Sequence, residues 1–246
     1  MKIPSAKNIV AFFELAFATV IWGFGFTATI WSLKYIDPIS ISVIRFAGAF
    51  AVGFLLWQII PSFKALPMRS ELKSAMMPGI LLGLVLVLQT WGLEFTSATN
   101  SGFITTLYTV MIPIIEVLVF KKKISKFHTL FVAVALVGTA LLLNLQTLTL
   151  NVGDLLTFGC SIAAAIHIIW VGHISNGVKS AFIFNTAQSF WACLLSLCFV
   201  PFYGQLRIAW PEGNAQFGMA SLVFGSTLIA FALQVKAQKS LSPSVC

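Results

Sequence analysis

The chain has 246 residues, of which 59% are apolar, 13% aromatic and only 9% charged. Soluble globular domains average about 45–50% apolar and about 25% charged, so too little polar surface is present to coat a water-soluble particle. Disorder is excluded by the same figures, and the net charge of +8 is scattered between apolar blocks rather than gathered into a nucleic-acid-binding face.

A transmembrane helix needs about 20 mostly apolar residues. In chain order, eight such runs are expected: 10–31, 38–60, 75–94, 98–120, 128–145, 153–173, 181–200 and 217–238. Turn signals separate them, among them Asp37-Pro38, Pro61 through Pro67, Asn151 with Gly153, and Pro211 through Asn214. The first run is too long for a signal-peptide core and is read as a retained helix. Twelve of the fifteen Lys and Arg residues fall at the N-terminus, after the even-numbered spans, or at the C-terminal end. Lys34, Arg45 and Arg207 fall on the other side. This bias predicts a cytoplasmic N-terminus, and a multi-pass protein of the plasma (inner) membrane is expected. The four cysteines, Cys160, Cys193, Cys198 and Cys246, have no metal-ligand spacing, and no cofactor is expected.

Hydropathy repeats with a period of about 140–145 residues. Leu88-Gln89 recurs as Leu233-Gln234, Pro61 as Pro201, and Glu14 resembles Asp154. A repeat of five spans is odd-numbered, so its second copy enters the membrane from the opposite side. The expected fold is an all-α polytopic membrane protein with two inverted five-helix repeats, 10–145 and an incomplete 153–246, with about eight of ten helices present.

Trp22-Gly23 in the first span and Arg45 in the second are followed by Asn100 through Pro113, Glu116 and a basic loop. A Gly138-containing helix then precedes Gly153-Asp154. This succession resembles the drug/metabolite transporter superfamily, specifically its EamA type. The resemblance implies ten helices in two five-helix halves with both termini cytoplasmic. On that expectation the sequence is truncated at its C-terminus, about 45 residues short by the repeat symmetry.

No Zn-protease, nucleophile-elbow or phosphate-loop motif is present, so an enzyme is not expected, nor is direct nucleotide drive. The informative residues are the polar ones inside spans, which are costly in hydrocarbon and face a cavity or a partner. Glu14 is read either as a carboxylate at the headgroups or as a gating or coupling group. Arg45 is placed near the outer interface, either bonding loop carbonyls and lipid phosphate or gating. Gln89 and Gln234 suit recognition of a polar solute or hydrogen bonding between helices. Tyr108 and Thr109, with Thr105 and Thr106, form a polar patch before Pro113 that suits a cavity wall. His167 titrates near physiological pH when unperturbed, so it suits proton coupling or a helix–helix hydrogen bond. Trp22, Trp91, Tyr108 and Trp170 are the expected aromatic walls. Gly79-x-x-x-Gly83 is read as a packing motif.

These readings converge on a secondary carrier, an exporter of small metabolites or drug-like amphipathic solutes, working by alternating access. The partners expected are the lipid bilayer, a small-molecule solute and protons as coupling ion, with no nucleic acid. The alternative is a truncated, non-transporting membrane scaffold.

Overall fold

The computed structural model describes residues 6–121, 151–203 and 206–243, with Leu130, Ala133, Val134 and Val137 between them. The described residues are helical, and the only β contact among them is an isolated bridge between Ile36 and Ile208. The principal helices are α1 (Ala6–Leu33), α2 (Pro38–Ile59), α3 (Met68–Ser74), α4 (Met76–Gly92), α5 (Ala98–Thr106) and α6 (Tyr108–Phe120). After the undescribed stretch come α7 (Val152–Ile174), α8 (Ala181–Tyr203) and α9 (Asn214–Ala220). A π-helical run, Ser221–Ala230, then leads into α10 (Phe231–Ala237).

Six helices among the described residues are long and apolar enough to cross a membrane, and the bent α3–α4 pair makes a seventh. They match seven of the eight expected runs. The run at 128–145, with Lys122, Lys123 and Lys126 before it, lies almost wholly outside the described residues. The third span is not straight: α3 and α4 meet at 61° around Ala75. Pro78 accounts for the bend, because it has no N–H to give the Ser74 carbonyl and its ring crowds that group. The fourth span is interrupted at Leu107, where the Thr106 and Thr109 hydroxyls donate to the Phe103 and Thr106 carbonyls at 2.7 and 2.8 Å. Such short side-chain bonds compete with the helical ladder.

Helix ends are fixed by the residues that read as turns. Asp37 caps α2 by accepting from the Ser40 N–H at 2.8 Å, and it also accepts from the Arg207 N–H at 2.9 Å. Asn151 and Asp154 form a reciprocal capping box at the start of α7, and Thr96 donates to Asp154 at 2.6 Å. These bonds satisfy the free N–H groups of each first turn.

The core forms where α4 lies between α7 and α8. Leu82, Val85 and Leu86 of α4 meet Cys160, Ala163 and Ala164 of α7 and Ala192 of α8. Small residues permit this close approach. A Cβ on Gly79 would sit 2.7 Å from the Gln188 carbonyl oxygen, and one on Gly83 would sit 3.0 Å from the Ala192 Cα. The Gly79/Gly83 pair is therefore the seat of the α4–α8 contact, as its spacing predicts. Large apolar side chains such as Phe13, Phe17, Leu55, Leu118 and Leu155 are exposed on the outside of the bundle. In lipid this is a solvated surface rather than an aggregation hazard.

Candidate functional site

Inside the bundle lies a cavity of about 350 Å³, within the usual range for small-molecule sites. Its wall is drawn from α1, α2, α4, α5, α6, α7, the π-helical run and α10. Residues before 121 and after 151 thus contribute together. A second hollow of about 400 Å³ sits at the bundle end, beside Lys34, Tyr35 and Glu212. It lies away from the intramembrane polar residues.

Eight of the sequence-predicted residues line the cavity: Trp22, Arg45, Gln89, Thr105, Thr106, Tyr108, His167 and Gln234. The Trp22 indole N–H donates to the Ser226 carbonyl at 3.3 Å, and its ring lies 4.9 Å from that of Phe231. Gln89 donates to the Thr105 hydroxyl at 3.2 Å, tying α4 to α5. His167 is 2% exposed, with Nε2 2.9 Å from Gln188 Oε1. An amide oxygen only accepts, so that ring nitrogen carries the proton. Gln234, buried, donates to Gln238 Oε1 at 3.2 Å, and Gln238 in turn donates to the Ile168 carbonyl at 2.8 Å.

Arg45 does not bond loop carbonyls. Its side chain is 2% exposed and turned into the bundle. Nη2 donates to Ser226 Oγ at 2.9 Å and Nε to Thr227 Oγ1 at 3.0 Å. The Phe46 ring lies 5.9 Å from the guanidinium carbon.

Four other expected residues do not line the cavity. Trp170 is 42% exposed on the outside of α7. Trp91 packs edge-on against Tyr203 at 5.7 Å. Thr109 spends its hydroxyl within its own span, because the Thr106 carbonyl at the end of α5 is within reach across the Leu107 break. Glu14 pairs with Lys236, joining α1 to α10 outside the cavity.

The π-helical run was not anticipated, and it organises the site. Shifting the ladder to i→i+5 turns carbonyls outward, and such segments recur at functional sites. The Ser226 carbonyl takes the Trp22 N–H, and Asn185 Nδ2 donates to the Thr227 and Leu228 carbonyls at 2.9 and 3.0 Å. Asn185 and Gln188 are fully buried on α8. Asn185 Oδ1 and Gln188 Nε2 have no hydrogen-bond partner among the described residues. Both residues were detectable as amides inside an apolar span, by the reasoning that singled out Gln89.

The model of the EamA-like transporter family matches residues 10–144. A curated relative from Archaeoglobus fulgidus, described as an uncharacterized transporter, is 33% identical over 202 residues. The match takes in 80% of this chain and 59% of that protein, so the chain spans about three-fifths of the relative's length. A crystal structure superposes with a TM-score of 0.69 at 17% identity, over 94% of this chain and 79% of the other. At that identity the likeness concerns the fold alone.

Proposed function

This chain belongs to the EamA-like transporter family, and on that premise we propose that it is a secondary carrier exporting small metabolites or drug-like amphipathic solutes. The solute binds in the cavity between two inverted halves, 10–145 and 153–246, and is released to the other side as the halves rock. The protein sits in the plasma (inner) membrane with its N-terminus in the cytoplasm, as the positive charges favour. Glu14 and Lys236 form a latch between α1 and α10 that opens and closes with the cycle. Proton movement coupled to His167 supplies the driving force.

The observation that carries this reading is the cavity wall itself. Trp22, Gln89, Tyr108, His167 and Gln234, from both halves, surround one space of about 350 Å³. Apolar walls with a few convergent polar groups are the usual form of a small-molecule site. The test is efflux of labelled amphipathic solutes from proteoliposomes containing the purified chain, under an imposed proton gradient. Gln89→Ala and His167→Ala are expected to reduce efflux at least about tenfold, the loss of roughly 1.4 kcal/mol of solute or transition-state interaction. Efflux and pH dependence identical to the unmodified chain in both variants would remove the site assignment.

A further inference from the structure

We infer that the solute of this cavity is an organic anion, with a carboxylate or similarly small oxyanion seated on Arg45 and an apolar or aromatic body along the wall. This inference rests on the carrier reading above and narrows its substrate class.

The argument starts from charge. Arg45 is 2% exposed on a membrane span, and its bonded partners are two neutral hydroxyls, Ser226 and Thr227. A guanidinium has five N–H donors, and these bonds occupy two of them. The Phe46 ring helps through its quadrupole but carries no countercharge. The chain has seven acidic residues, and none lines the cavity. Asp37 is engaged by Ser40 and Arg207, Glu71 by the Lys179 N–H, Glu94 by Tyr203, and Asp154 by Thr96 and Asn151. Glu14 is held by Lys236, Glu116 is buried on α6 outside the cavity lining, and Glu212 lies at the outer hollow.

A buried cation without a countercharge is expensive, and in membranes such groups mark substrate or ion pathways. Here the guanidinium lines the intramembrane cavity, so an anionic ligand supplies the missing charge where it is needed. Carboxylate matches the planar N–H fork of arginine in geometry as well as in sign. Beyond it, Trp22, Phe26, Leu86 and Phe231 offer an apolar wall. The volume equals about a dozen waters at ~30 Å³ each, which suits a compact amphipath rather than a nucleotide or an oligosaccharide. An amine in the same position faces like-charge repulsion.

The test uses the purified full chain in detergent micelles and three compounds that share one body: 4-phenylbutyrate, 4-phenylbutyramide and 4-phenylbutylamine. Binding is measured by equilibrium dialysis. The anion is expected to bind at least about tenfold tighter than the amide, and the amine more weakly than either. Arg45→Gln is expected to narrow the anion-to-amide ratio to below about threefold, and Arg45→Lys to leave it in between. If Arg45→Gln does not fold, the three-compound comparison on the unmodified chain decides alone. Anion and amide binding within threefold of each other there overturns the anionic class and leaves the solute cavity standing. No binding of any of the three, the neutral amide included, removes the cavity as a solute site and the carrier reading with it.

Discussion

Arg45 Nη2 donates to Ser226 Oγ at 2.9 Å, joining the second helix to the π-helical run across 181 residues of sequence. Beside it, Thr227 Oγ1 accepts from Arg45 Nε at 3.0 Å and donates to the Leu222 carbonyl at 2.7 Å, a five-residue reach that suits π-helical geometry. The unusual helix and the buried cation therefore hold each other in place. Thr227→Val keeps the shape and removes both bonds. It is expected to lower stability by about 1–2 kcal/mol, given the range for buried and intramembrane hydrogen bonds. Thermal unfolding in detergent measures this, and an unchanged midpoint would mean that the network adds nothing to the fold.

Trp22 and Trp170 separate cavity from lipid. Both read as aromatic walls in sequence, yet Trp22 lines the cavity and Trp170 is 42% exposed on the outer face of α7. Trp22→Ala removes a ring that packs on Phe231 and an N–H that holds the π-helical run. Solute affinity should fall about two- to twelvefold, from an aromatic contact of roughly 0.5–1.5 kcal/mol. Trp170→Ala should leave affinity within experimental error. Equilibrium dialysis with 4-phenylbutyrate distinguishes the two positions.

Gly79 and Gly23 make a matching pair for stability. At Gly79 a methyl group would meet the Gln188 carbonyl at 2.7 Å and Trp191 Cβ at 2.6 Å, whereas at Gly23 it would meet nothing within 4 Å. Gly79→Ala is expected to cost about 1–3 kcal/mol through overpacking of the α4–α8 seam. Gly23→Ala should be neutral or gain up to about 1 kcal/mol from helix propensity. Melting both variants beside the unmodified chain checks the sign as well as the size.

Much of the fold is legible in the sequence because lipid imposes a simple demand: long apolar runs, broken by polar turns. Asp37-Pro38 and Asn151 through Asp154 announce the caps they form, and Gly79-x-x-x-Gly83 announces a close contact. Which way an apolar face points is much less legible. In a bilayer both the core and the lipid favour apolar side chains, so Trp22 and Trp170 carry the same signal and opposite placements. Thr109 illustrates a second limit, since a hydroxyl in a helix can bond its own backbone and never reach the cavity. The π-helical run has no composition of its own. It becomes visible only when Asn185 and Trp22, distant in sequence, are seen to satisfy the carbonyls it turns out. The depth of Arg45 along its span is legible in the sequence, but its azimuth, which faces Ser226 and Thr227, is not.

The most direct test of the central claim, that solute occupies the cavity, is protection of a single cysteine on its wall. Thr105→Cys, on the cavity beside Gln89, and Trp170→Cys, on the outer face, are introduced separately into a chain whose native cysteines are replaced by alanine. Each is titrated with a small maleimide in the presence and absence of 4-phenylbutyrate, then of its amide. With ligand at ten times its Kd about nine-tenths of the sites are filled, so modification at position 105 should slow about tenfold. The rate at position 170 should not change. Equal rates at position 105 with and without every ligand would contradict the account.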